Sequence, residues 1–406
     1  MKNKYLFIVA IFLFTISCND VKTDQPTVLM VSFDGFRWDY VDNANTPNFD
    51  YLRDHGTKAE SLQPVFPSKT FPNHYSLATG AYTGTHMLTG NRVWDKEFKE
   101  MYKLSDRSKV QDGKWYQAEP IWVTAERQGV KSASYFWVGS EAEIKGYRPS
   151  NYKYYDGDVP YRSRVDSVVA WYKLPEDIRP HLTLLYFSEP DHTGHGFGPN
   201  SSETIEVVEE MDEILGYLLE GLKSLDIANE INLIVLSDHG MTEVSIDRTI
   251  IVDDYISMDD FHTVGRGPVM QLNIKNNANL TLEEMDVKLK SIPHLTAYKK
   301  SEIPERYHFV NRNTGDFVLV AEEGWLILTE GVSYDALGTH GYDNELKSMH
   351  AIFYAMGPRI KENYTVGTFE NIHVYPLICE LLNIKPYANA PDAPEGRLEV
   401  LQEILK

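Results

Sequence analysis

Acidic and imidazole side chains recur in four short segments of this 406-residue chain, each close to an apolar run. These residues are Asp34, Asp191, His195, Asp238, His239 and His340. Mixed oxygen and nitrogen donors form a ligand set that zinc accepts. One Asp-His pair alone is more often an ordinary hydrogen-bonded pair. Because four segments carry such residues, the pattern predicts a metal site.

A hydroxyl that could act as a nucleophile lies in the segment PSKTFPNHYSLATG, residues 67–80. Thr70 comes two residues before Pro72, and proline is favoured in the first turn of a helix. The amides and dipole at a helix N-terminus stabilise a phosphate and a developing alkoxide. Thr70 is therefore a candidate nucleophile. The alternative is that Thr70 only caps the helix, and the spacing does not decide between the two.

The elements that must position these side chains are four nearly continuous apolar runs. They are TVLMVSF (27–33), HLTLLYF (181–187), INLIVLS (231–237) and HAIFYAMG (350–357). Such runs are typical of buried strands of the parallel type. Helical patterns, at about Val165–Tyr172 and Ser201–Leu222, lie between them. The alternation predicts an α/β fold with a mostly parallel central sheet flanked by helices.

The predicted reactive residues fall near the ends of these runs, where open α/β sheets bind ligands. Asp34 follows the first run and Asp238 follows the third. Asp191 and His195 follow the second, and we expect a tight Gly-rich loop to place them on one side. His340 comes shortly before the fourth run. One edge of the sheet would then gather all four segments.

The pattern of apolar and polar residues changes over about residues 268–328, and this segment is predicted to be a small α+β insertion. VMQLNI reads as a strand and LTLEEMDVKLKSI as a helix, and HLTAYKKSEI and FVLVAEEGWLIL read as further strands. Cys379 lies in a later apolar stretch, Tyr375–Leu382, and is predicted to be a core residue.

The formal net charge of −20 opposes non-specific binding to a nucleic-acid duplex, which needs a basic face. It permits a small anionic substrate, because bound metal ions reverse the field within one cleft.

Residues 1–18 resemble a targeting segment. Lys2 and Lys4 precede an apolar run, Tyr5–Ile16, that is too short for an ordinary membrane span. The tetrapeptide Thr15–Cys18 resembles a bacterial lipobox, which predicts export to the periplasm or cell envelope and a lipid anchor at Cys18. The alternative is a simple secretory signal cut nearby. Residues 19–26 would form a tether, and 27–406 a catalytic domain.

Together the motifs resemble the nucleotide pyrophosphatase/phosphodiesterase family of the alkaline phosphatase superfamily, in a compact bacterial form. The motifs are SFDGFRWDY (32–40), PVFPSKTFPNHYSLATG (64–80), Asn91, EPDHTGHGFGP (189–199), LSDHGM (236–241) and GTHGYDN (338–344). The resemblance implies an alkaline phosphatase-like fold and hydrolysis of phosphodiester or pyrophosphate bonds of nucleotides or nucleotide derivatives, through a covalent phosphothreonine.

The resemblance also implies two zinc ions. One would be bound by Asp191, His195 and His340. The other would be bound by the three residues of the set that remain and by the hydroxyl of Thr70; these are Asp34, Asp238 and His239.

The resemblance further implies a substrate pocket beside the metals. Asn91 would hold a phosphoryl oxygen, and Phe71, Tyr155 and Tyr186 would form an aromatic slot for a nucleobase. Tyr154 is the rival of Tyr155 for that position.

The segment YTGTHMLTGN departs from the family pattern. Thr83 and Met87 stand where the family usually has Pro and Gly, although the spacing from His86 to Asn91 is kept.

Three other functions are compatible with parts of the pattern. A phosphomonoesterase of the same superfamily would need an additional cation, and we identify no dedicated arginine near the motifs. A phosphodiesterase for glycerophosphocholine-like head groups would need a cage for a quaternary amine, which the many tyrosines could supply. A lipoprotein that binds metal without catalysis would not need Thr70.

Overall fold

The computed structural model describes residues 25–406, so the predicted leader, Cys18 and most of the predicted tether lie outside the described residues. An eight-stranded sheet forms the centre of the molecule. Its strands, in order across the sheet, are Tyr364–Val366, Thr57–Ala59, Phe353–Met356, Ile231–Leu236, Thr27–Phe33, Leu182–Phe187, Ser132–Tyr135 and Asn151–Lys153.

Neighbouring strands run parallel except at Phe353–Met356, which is antiparallel to both of its neighbours. The predicted α/β fold with a mostly parallel sheet is therefore confirmed. Our interpretation of HAIFYAMG as a parallel-type strand is wrong. The chain enters this strand at the edge where Ile231–Leu236 ends, because Phe353 pairs with Leu236. A strand buried on both faces is continuously apolar whether it runs parallel or antiparallel to its neighbours, so its sequence does not indicate its direction.

Both faces of the sheet are covered, so alternate residues of each strand enter different cores. Val28 and Met30 pack into one core, whereas Leu29, Val31 and Phe33 pack into the other. This two-sided burial explains why the strand sequences are continuously apolar.

Helices cover both faces, and the two predicted from the helical patterns are present with slightly different bounds. The α-helices are Pro47–His55, Thr70–Thr79, Thr83–His86, Arg107–Val110, Ile121–Arg127, Tyr161–Tyr172, Asp191–Phe197, Ser202–Lys223, Leu282–Lys290 and Val374–Leu381. Cys379 is fully buried in the last of these, in agreement with its predicted place in the core.

A second sheet of four antiparallel strands lies in the region of the predicted α+β segment, and the assignment of that segment as an insertion stays a prediction. Its order is Phe261–Arg266, Val269–Ile274, Phe317–Ala321 and Leu295–Lys299, and the helix Leu282–Lys290 packs on it. The first of these strands begins before residue 268. Short two-stranded ladders complete the fold: Arg92–Asp95 with Glu100–Lys103, Thr242–Glu243 with Gly338–Thr339, Thr249–Ile251 with Leu326–Leu328, and Leu62–Gln63 with Phe369–Glu370. Within residues 25–406, no helix combines the length and apolar character needed to cross a bilayer.

Candidate active site

The predicted ligands meet at one edge of the main sheet because three parallel strands end there together. Phe33 is paired with Phe187, and Ser32 with Leu236. Asp34 therefore emerges beside the segments that follow the other two strands. The backbone N–H of Asp191 donates to the carbonyl oxygen of Asp34 at 2.9 Å, which joins two of these segments directly.

Asp191 and His195 lie on a short helix, Asp191–Phe197, rather than on the Gly-rich loop that we expected. The spacing of four residues places both side chains on one face of that helix. The Nε2 atom of His195 is 3.6 Å from Oδ1 of Asp191. The glycines of EPDHTGHG suggested a loop, but helix geometry satisfies the same pairing.

His340 reaches the site from a loop outside the main sheet. It follows the short strand Gly338–Thr339, which pairs with Thr242–Glu243. Its Nε2 atom is 3.6 Å from Oδ1 of Asp191, and its ring stacks on His239 at a centroid distance of 3.5 Å. All six predicted ligands are thus brought together, although the roles assigned to them remain predictions.

The six side chains form two groups, and the ligand atoms of each group lie within 4.8 Å of one another. One group is Asp191, His195 and His340; the other is Asp34, Asp238 and His239. In the second group, Nε2 of His239 is 3.4 Å from Oδ1 of Asp34 and 3.0 Å from Oδ2 of Asp238.

Each of the three histidines has its Nδ1 atom next to a backbone carbonyl. The partners are Gly338 O for His195, Gly240 O for His239 and Ser68 O for His340, at 2.8, 2.9 and 2.8 Å. A carbonyl can only accept a hydrogen bond, so Nδ1 carries the proton and Nε2 of a neutral ring carries a lone pair. This arrangement is typical of metal-binding histidines, whose orientation is fixed from behind.

Three carboxylate oxygens that face these nitrogens have no hydrogen-bond partner among the described residues. They are Oδ1 of Asp34, Oδ1 of Asp191 and Oδ2 of Asp238. Buried carboxylate oxygens without a donor cost free energy unless a cation lies between them and the neighbouring lone pairs. The residues present therefore fit divalent cations, and both donor sets suit zinc.

The electrostatics of the site support the same conclusion. Burial, together with the carboxylates of Asp238 and Asp191, raises the pKa of Asp34 well above its usual range. Burial, together with neighbouring cationic groups, lowers the pKa of His340 well below its usual range. A bound cation would favour the ionised carboxylate and the neutral imidazole, which are the forms that coordinate metal.

Thr70 is the first residue of the helix Thr70–Thr79, as its spacing from Pro72 predicted. The residue at the cap position is Lys69, and Thr70 does not cap the helix with its side chain. The Oγ1 atom of Thr70 lies 3.3 Å from Nε2 of His239 and therefore faces the cluster. The capping alternative is thus disfavoured by geometry.

Asn91 lies beside the same helix start. Its Oδ1 atom accepts a hydrogen bond from the backbone N–H of Phe71 at 3.0 Å. The backbone N–H of Phe71 is therefore engaged within the protein. With Oδ1 held in this way, the Nδ2 group of Asn91 is the side-chain donor that remains for a ligand.

A cavity of about 310 Å³ opens from the cluster and is lined by the predicted slot residues, Phe71, Tyr155 and Tyr186. Tyr154 is not among the lining residues. Additional walls that the sequence analysis missed come from Leu104, Phe136 and Trp137. No motif marks these residues, which reach the cavity from two loops, one after the strand Glu100–Lys103 and one after the strand Ser132–Tyr135.

An arginine also lies in this cavity, which corrects our statement that no arginine accompanies the motifs. Arg107 lines the cavity but is bonded to the buried carboxylate of Glu141. The other oxygen of Glu141 accepts from the backbone N–H of Tyr155 at 2.9 Å. Arg107 and Glu141 thus position the aromatic wall, and their charges are paired.

Two further residues lie behind the carboxylates. The hydroxyl of Tyr186 donates to Oδ2 of Asp34 at 2.6 Å. His74 is fully buried, with Nε2 at 2.9 Å from the Ser32 hydroxyl and Nδ1 bonded to the carbonyl oxygen of Thr70 at 3.0 Å, so that it lies 3.3 Å from Oδ2 of Asp238 without bonding it. His74 lies inside the nucleophile motif, but nothing in its sequence distinguished it from an ordinary core residue.

Comparison with known proteins places this geometry in context. A family model described as type I phosphodiesterase / nucleotide pyrophosphatase matches residues 28–343. The chain is 41% identical to a venom phosphodiesterase of Naja atra over 376 residues, which are 90% of this chain and 45% of that protein. It is 37% identical to human ectonucleotide pyrophosphatase/phosphodiesterase family member 5, over 95% of this chain and 80% of the relative. The chain thus spans less than half the length of the venom enzyme.

Solved structures agree with the sequence relatives. Murine ectonucleotide pyrophosphatase/phosphodiesterase 5, solved as an inactive threonine-to-alanine variant in complex with AMP, has a TM-score of 0.88 and 36% identity. The match covers 94% of this chain and 100% of that chain. The predicted alkaline phosphatase-like fold is therefore confirmed. The chain belongs to the type I phosphodiesterase / nucleotide pyrophosphatase family.

Proposed function

We propose that this protein hydrolyses phosphodiester or pyrophosphate bonds of nucleotides or nucleotide derivatives, with Thr70 as the nucleophile. The observation that carries the proposal is the convergence of two donor sets on one hydroxyl. Three unpartnered carboxylate oxygens and three oriented Nε2 atoms surround the position that Oγ1 of Thr70 faces.

We assign the two donor sets to two zinc ions. Asp191, His195 and His340 would bind one, and Asp34, Asp238, His239 and the Thr70 hydroxyl would bind the other. When bound, such ions act as Lewis acids that favour the ionised hydroxyl and neutralise the charge of a phosphate. Asp34, whose pKa is raised by burial and by neighbouring carboxylates, is the ligand that depends most on that charge.

The steps of the reaction at phosphorus are assigned to residues of the chain. Oγ1 of Thr70 attacks phosphorus, the bond from phosphorus to the leaving oxygen breaks, and the retained half becomes an ester of Thr70. Asn91 donates through Nδ2 to a non-bridging oxygen as charge develops. Water then attacks the same phosphorus, which releases the product and restores the Thr70 hydroxyl.

The cavity supports a nucleoside as the retained half. Phe71 and Tyr155 present flat apolar walls beside the cluster, and nucleobases stack on such walls. The murine structural relative is described as a complex with AMP, which is in keeping with this assignment.

The decisive experiment compares three substrates with the purified, zinc-loaded protein: a nitrophenyl ester of a nucleotide, bis-nitrophenyl phosphate and nitrophenyl phosphate. We expect the nucleotide ester to be cleaved with the highest kcat/KM. Thr70→Ala should abolish turnover and retain its metal content. Preference for nitrophenyl phosphate would instead identify a phosphomonoesterase.

We also propose export and lipid anchoring at Cys18. The basis is the sequence alone: Lys2 and Lys4, the apolar run and the tetrapeptide Thr15–Cys18. Mass spectrometry of the mature N-terminus should find a lipidated Cys18. Release of wild-type protein from cell envelopes by salt washing alone would contradict the anchor.

A further inference from the structure

Arg37 belongs to the motif SFDGFRWDY and lies three residues after Asp34, but it neither lines the aromatic cavity nor belongs to the ligand cluster. Its side chain is only 11% exposed. A guanidinium carries five N–H donors, and burial of its charge is costly unless the group is paired and hydrogen-bonded. The partners that its donors bind therefore indicate its role.

The partners of Arg37 come from three separate places in the sequence. Nε donates to Oδ1 of Asp39 at 2.5 Å, which pairs the charge within the motif. Nη2 donates to Oδ1 of Asn200 at 2.8 Å, and Nη1 donates to the carbonyl oxygen of Met241 at 3.1 Å. One guanidinium thus binds segments that lie 163 and 204 residues away along the chain.

These distant segments carry both proposed donor sets. The histidine-rich set is Asp191, His195 and His340, and the aspartate-rich set is Asp34, Asp238 and His239. Asn200 follows the helix Asp191–Phe197 of the histidine-rich set, and Met241 lies two residues after His239 of the aspartate-rich set. Arg37 therefore connects the backbone of one set to that of the other.

Met241 extends this connection to two segments of the histidine-rich set. Its side chain is fully buried. A β-carbon at Gly194 would lie 3.2 Å from Cε of Met241, and one at Gly338 would lie 3.2 Å from its sulfur. Gly194 directly precedes His195, and the carbonyl oxygen of Gly338 is 2.8 Å from Nδ1 of the same histidine. Because Arg37 binds the Met241 backbone, it holds a side chain that packs against both segments.

The aspartate-rich set is stabilised by other bonds, which do not involve the Arg37 side chain. The backbone N–H of Gly35 donates to Oδ1 of Asp238 at 3.2 Å, and that of Phe36 donates to the Ser237 hydroxyl at 2.9 Å. Loss of the guanidinium should therefore disturb the histidine-rich set more than the aspartate-rich set.

We infer that Arg37 is a positioning residue that holds the histidine-rich donor set in place against the aspartate-rich set. This inference rests on the proposed function, since it concerns the two zinc ions assigned there. A guanidinium suits the role because its planar fork bonds several acceptors at once, whereas an ammonium group is a compact point charge. Arg37 acts through Asn200 and Met241 and is not itself a ligand.

The test measures zinc binding, by competition with a chromophoric chelator. The wild-type protein should bind two zinc ions. Arg37→Gln should weaken the ion at the histidine-rich set by about 10- to 100-fold, which is the usual effect of losing a residue that orients metal ligands, and should leave the other ion unchanged. A His239→Ala background, in which only the histidine-rich set is complete, identifies the ion that is weakened.

Arg359→Gln is the matched control, because it removes the same charge and the same kinds of bond. Arg359 donates to a carboxylate, a backbone carbonyl oxygen and an asparagine Oδ1, which belong to Glu380, Leu381 and Asn383. It lies at the opposite edge of the main sheet, where its backbone N–H donates to Asn232, near the start of the strand Ile231–Leu236. This variant should lower the free energy of unfolding and leave both zinc affinities unchanged.

Two further variants separate geometry from charge. Arg37→Lys keeps the charge but cannot bond all three partners, so it should not restore the affinity for zinc. Asn200→Ala removes one partner at an exposed position, and it should weaken the same ion by about threefold or more. Because Asn200 is exposed, this variant also tests the inference should Arg37→Gln fail to fold.

The outcomes distinguish failure of the inference from failure of the proposed function. Wild-type affinity for both ions in Arg37→Gln or Asn200→Ala, full recovery in Arg37→Lys, or an equal loss in Arg359→Gln would overturn the inference. A wild-type protein that binds fewer than two zinc ions would contradict the zinc assignment and the inference with it. A wild-type protein that binds both ions but cleaves no ester would count against the proposed function alone.

Discussion

At the residue scale, Tyr186 serves two parts of the site at once. Its ring lines the aromatic cavity, and its hydroxyl donates to Oδ2 of Asp34 at 2.6 Å. That bond leaves Oδ1 of Asp34 as the oxygen directed toward His239. A side chain first considered as a wall for substrate is therefore also a support for a proposed ligand.

Tyr186→Phe should weaken zinc binding while the ring remains in place. Loss of a partner that orients a ligand typically reduces metal affinity by about 10- to 100-fold. Competition with a chromophoric chelator would measure the change. Tyr155→Phe is the control, because Tyr155 lines the same cavity and its hydroxyl is not bonded to a proposed ligand. Equal zinc affinity in Tyr186→Phe and wild type would contradict this role.

Substitutions of Tyr155 and Tyr154 test which tyrosine forms the proposed aromatic slot. The Tyr155 ring lines the cavity, whereas Tyr154 is 54% exposed and its hydroxyl lies 3.3 Å from that of Tyr152. Tyr155→Ala should raise KM for a nucleotide ester by about tenfold, since stacking of one base contributes about 1–3 kcal/mol. Tyr154→Ala should leave KM unchanged. The reverse order, measured by steady-state kinetics, would move the slot elsewhere.

The proposed ligands could be identified from sequence because each lies near an apolar run. The run predicts a strand of the main sheet, and the strand places the ligand at the edge of that sheet. Asp34 and Asp238 are the clearest cases, since each follows a strand of the sheet. The opposite holds for Leu104 and Phe136, which reach the cavity through contacts between distant segments. Such contacts depend on how loops pack, and no local pattern encodes them.

At the element scale, the helix Thr83–His86 explains one departure from the family pattern. Met87 forms its C-cap and has a φ of 66°, in the left-handed region where glycine is favoured. The family usually has glycine at this position, which suits such a cap. Side chains other than glycine pay about 1–2 kcal/mol to adopt this conformation.

Met87→Gly should therefore stabilise the protein by roughly 1 kcal/mol. The gain reflects relief of the left-handed conformation, offset by the greater freedom of glycine in the unfolded chain. Urea unfolding would measure the free energy. Met87→Ala keeps the strained backbone and should give no gain. A loss of stability in Met87→Gly would mean that the side chain of Met87 contributes more by packing than its backbone costs.

Strands could be predicted from sequence where both faces of the sheet are buried. The direction in which each strand runs could not. The strand Phe353–Met356 has the same continuous apolar character as Ile231–Leu236, yet the two run antiparallel. Direction is set by the long excursion between them, which ends at the carboxyl edge of the sheet. The helix Asp191–Phe197 was missed for another reason, because its glycines have poor helix propensity and tertiary contacts override it.

At the scale of the whole molecule, the proposed metals should contribute to stability as well as to chemistry. The only cysteine of the described residues, Cys379, is free, so no disulfide supports this part of the fold. Without cations, Asp34, Asp191 and Asp238 bring three carboxylates together, and burial and mutual repulsion raise the pKa of Asp34. Metal binding removes this repulsion.

Chelation should lower the melting temperature by several degrees, and zinc should restore it. A ligand present at a thousand times its dissociation constant adds about 4 kcal/mol to the free energy of unfolding. Asp34→Asn should gain less than half of the wild-type shift when zinc is added, because one ligand and one repulsive charge are lost. Identical zinc-dependent shifts in both proteins, measured by scanning calorimetry, would contradict the assignment of Asp34.

Two buried histidines away from the cluster should make the fold sensitive to acid. Burial lowers the pKa of His86 to about 3, and burial together with Arg397 lowers the pKa of His373 to about 4, from the ordinary value of 6.5. In both rings, Nδ1 accepts a backbone N–H, from Leu88 and Arg397 respectively, so protonation there would break a hydrogen bond.

Because the folded-state pKa values are depressed, the unfolded chain takes up protons below pH 6.5 while the folded chain does not. The free energy of unfolding should therefore fall with decreasing pH, by about 1.4 kcal/mol per pH unit for each histidine, until the folded pKa is reached. His373→Gln cannot titrate, so its stability should fall less steeply than that of wild type between pH 6 and 4. Urea unfolding across this range measures both slopes, and equal slopes would show that His373 is not the group that takes up the proton.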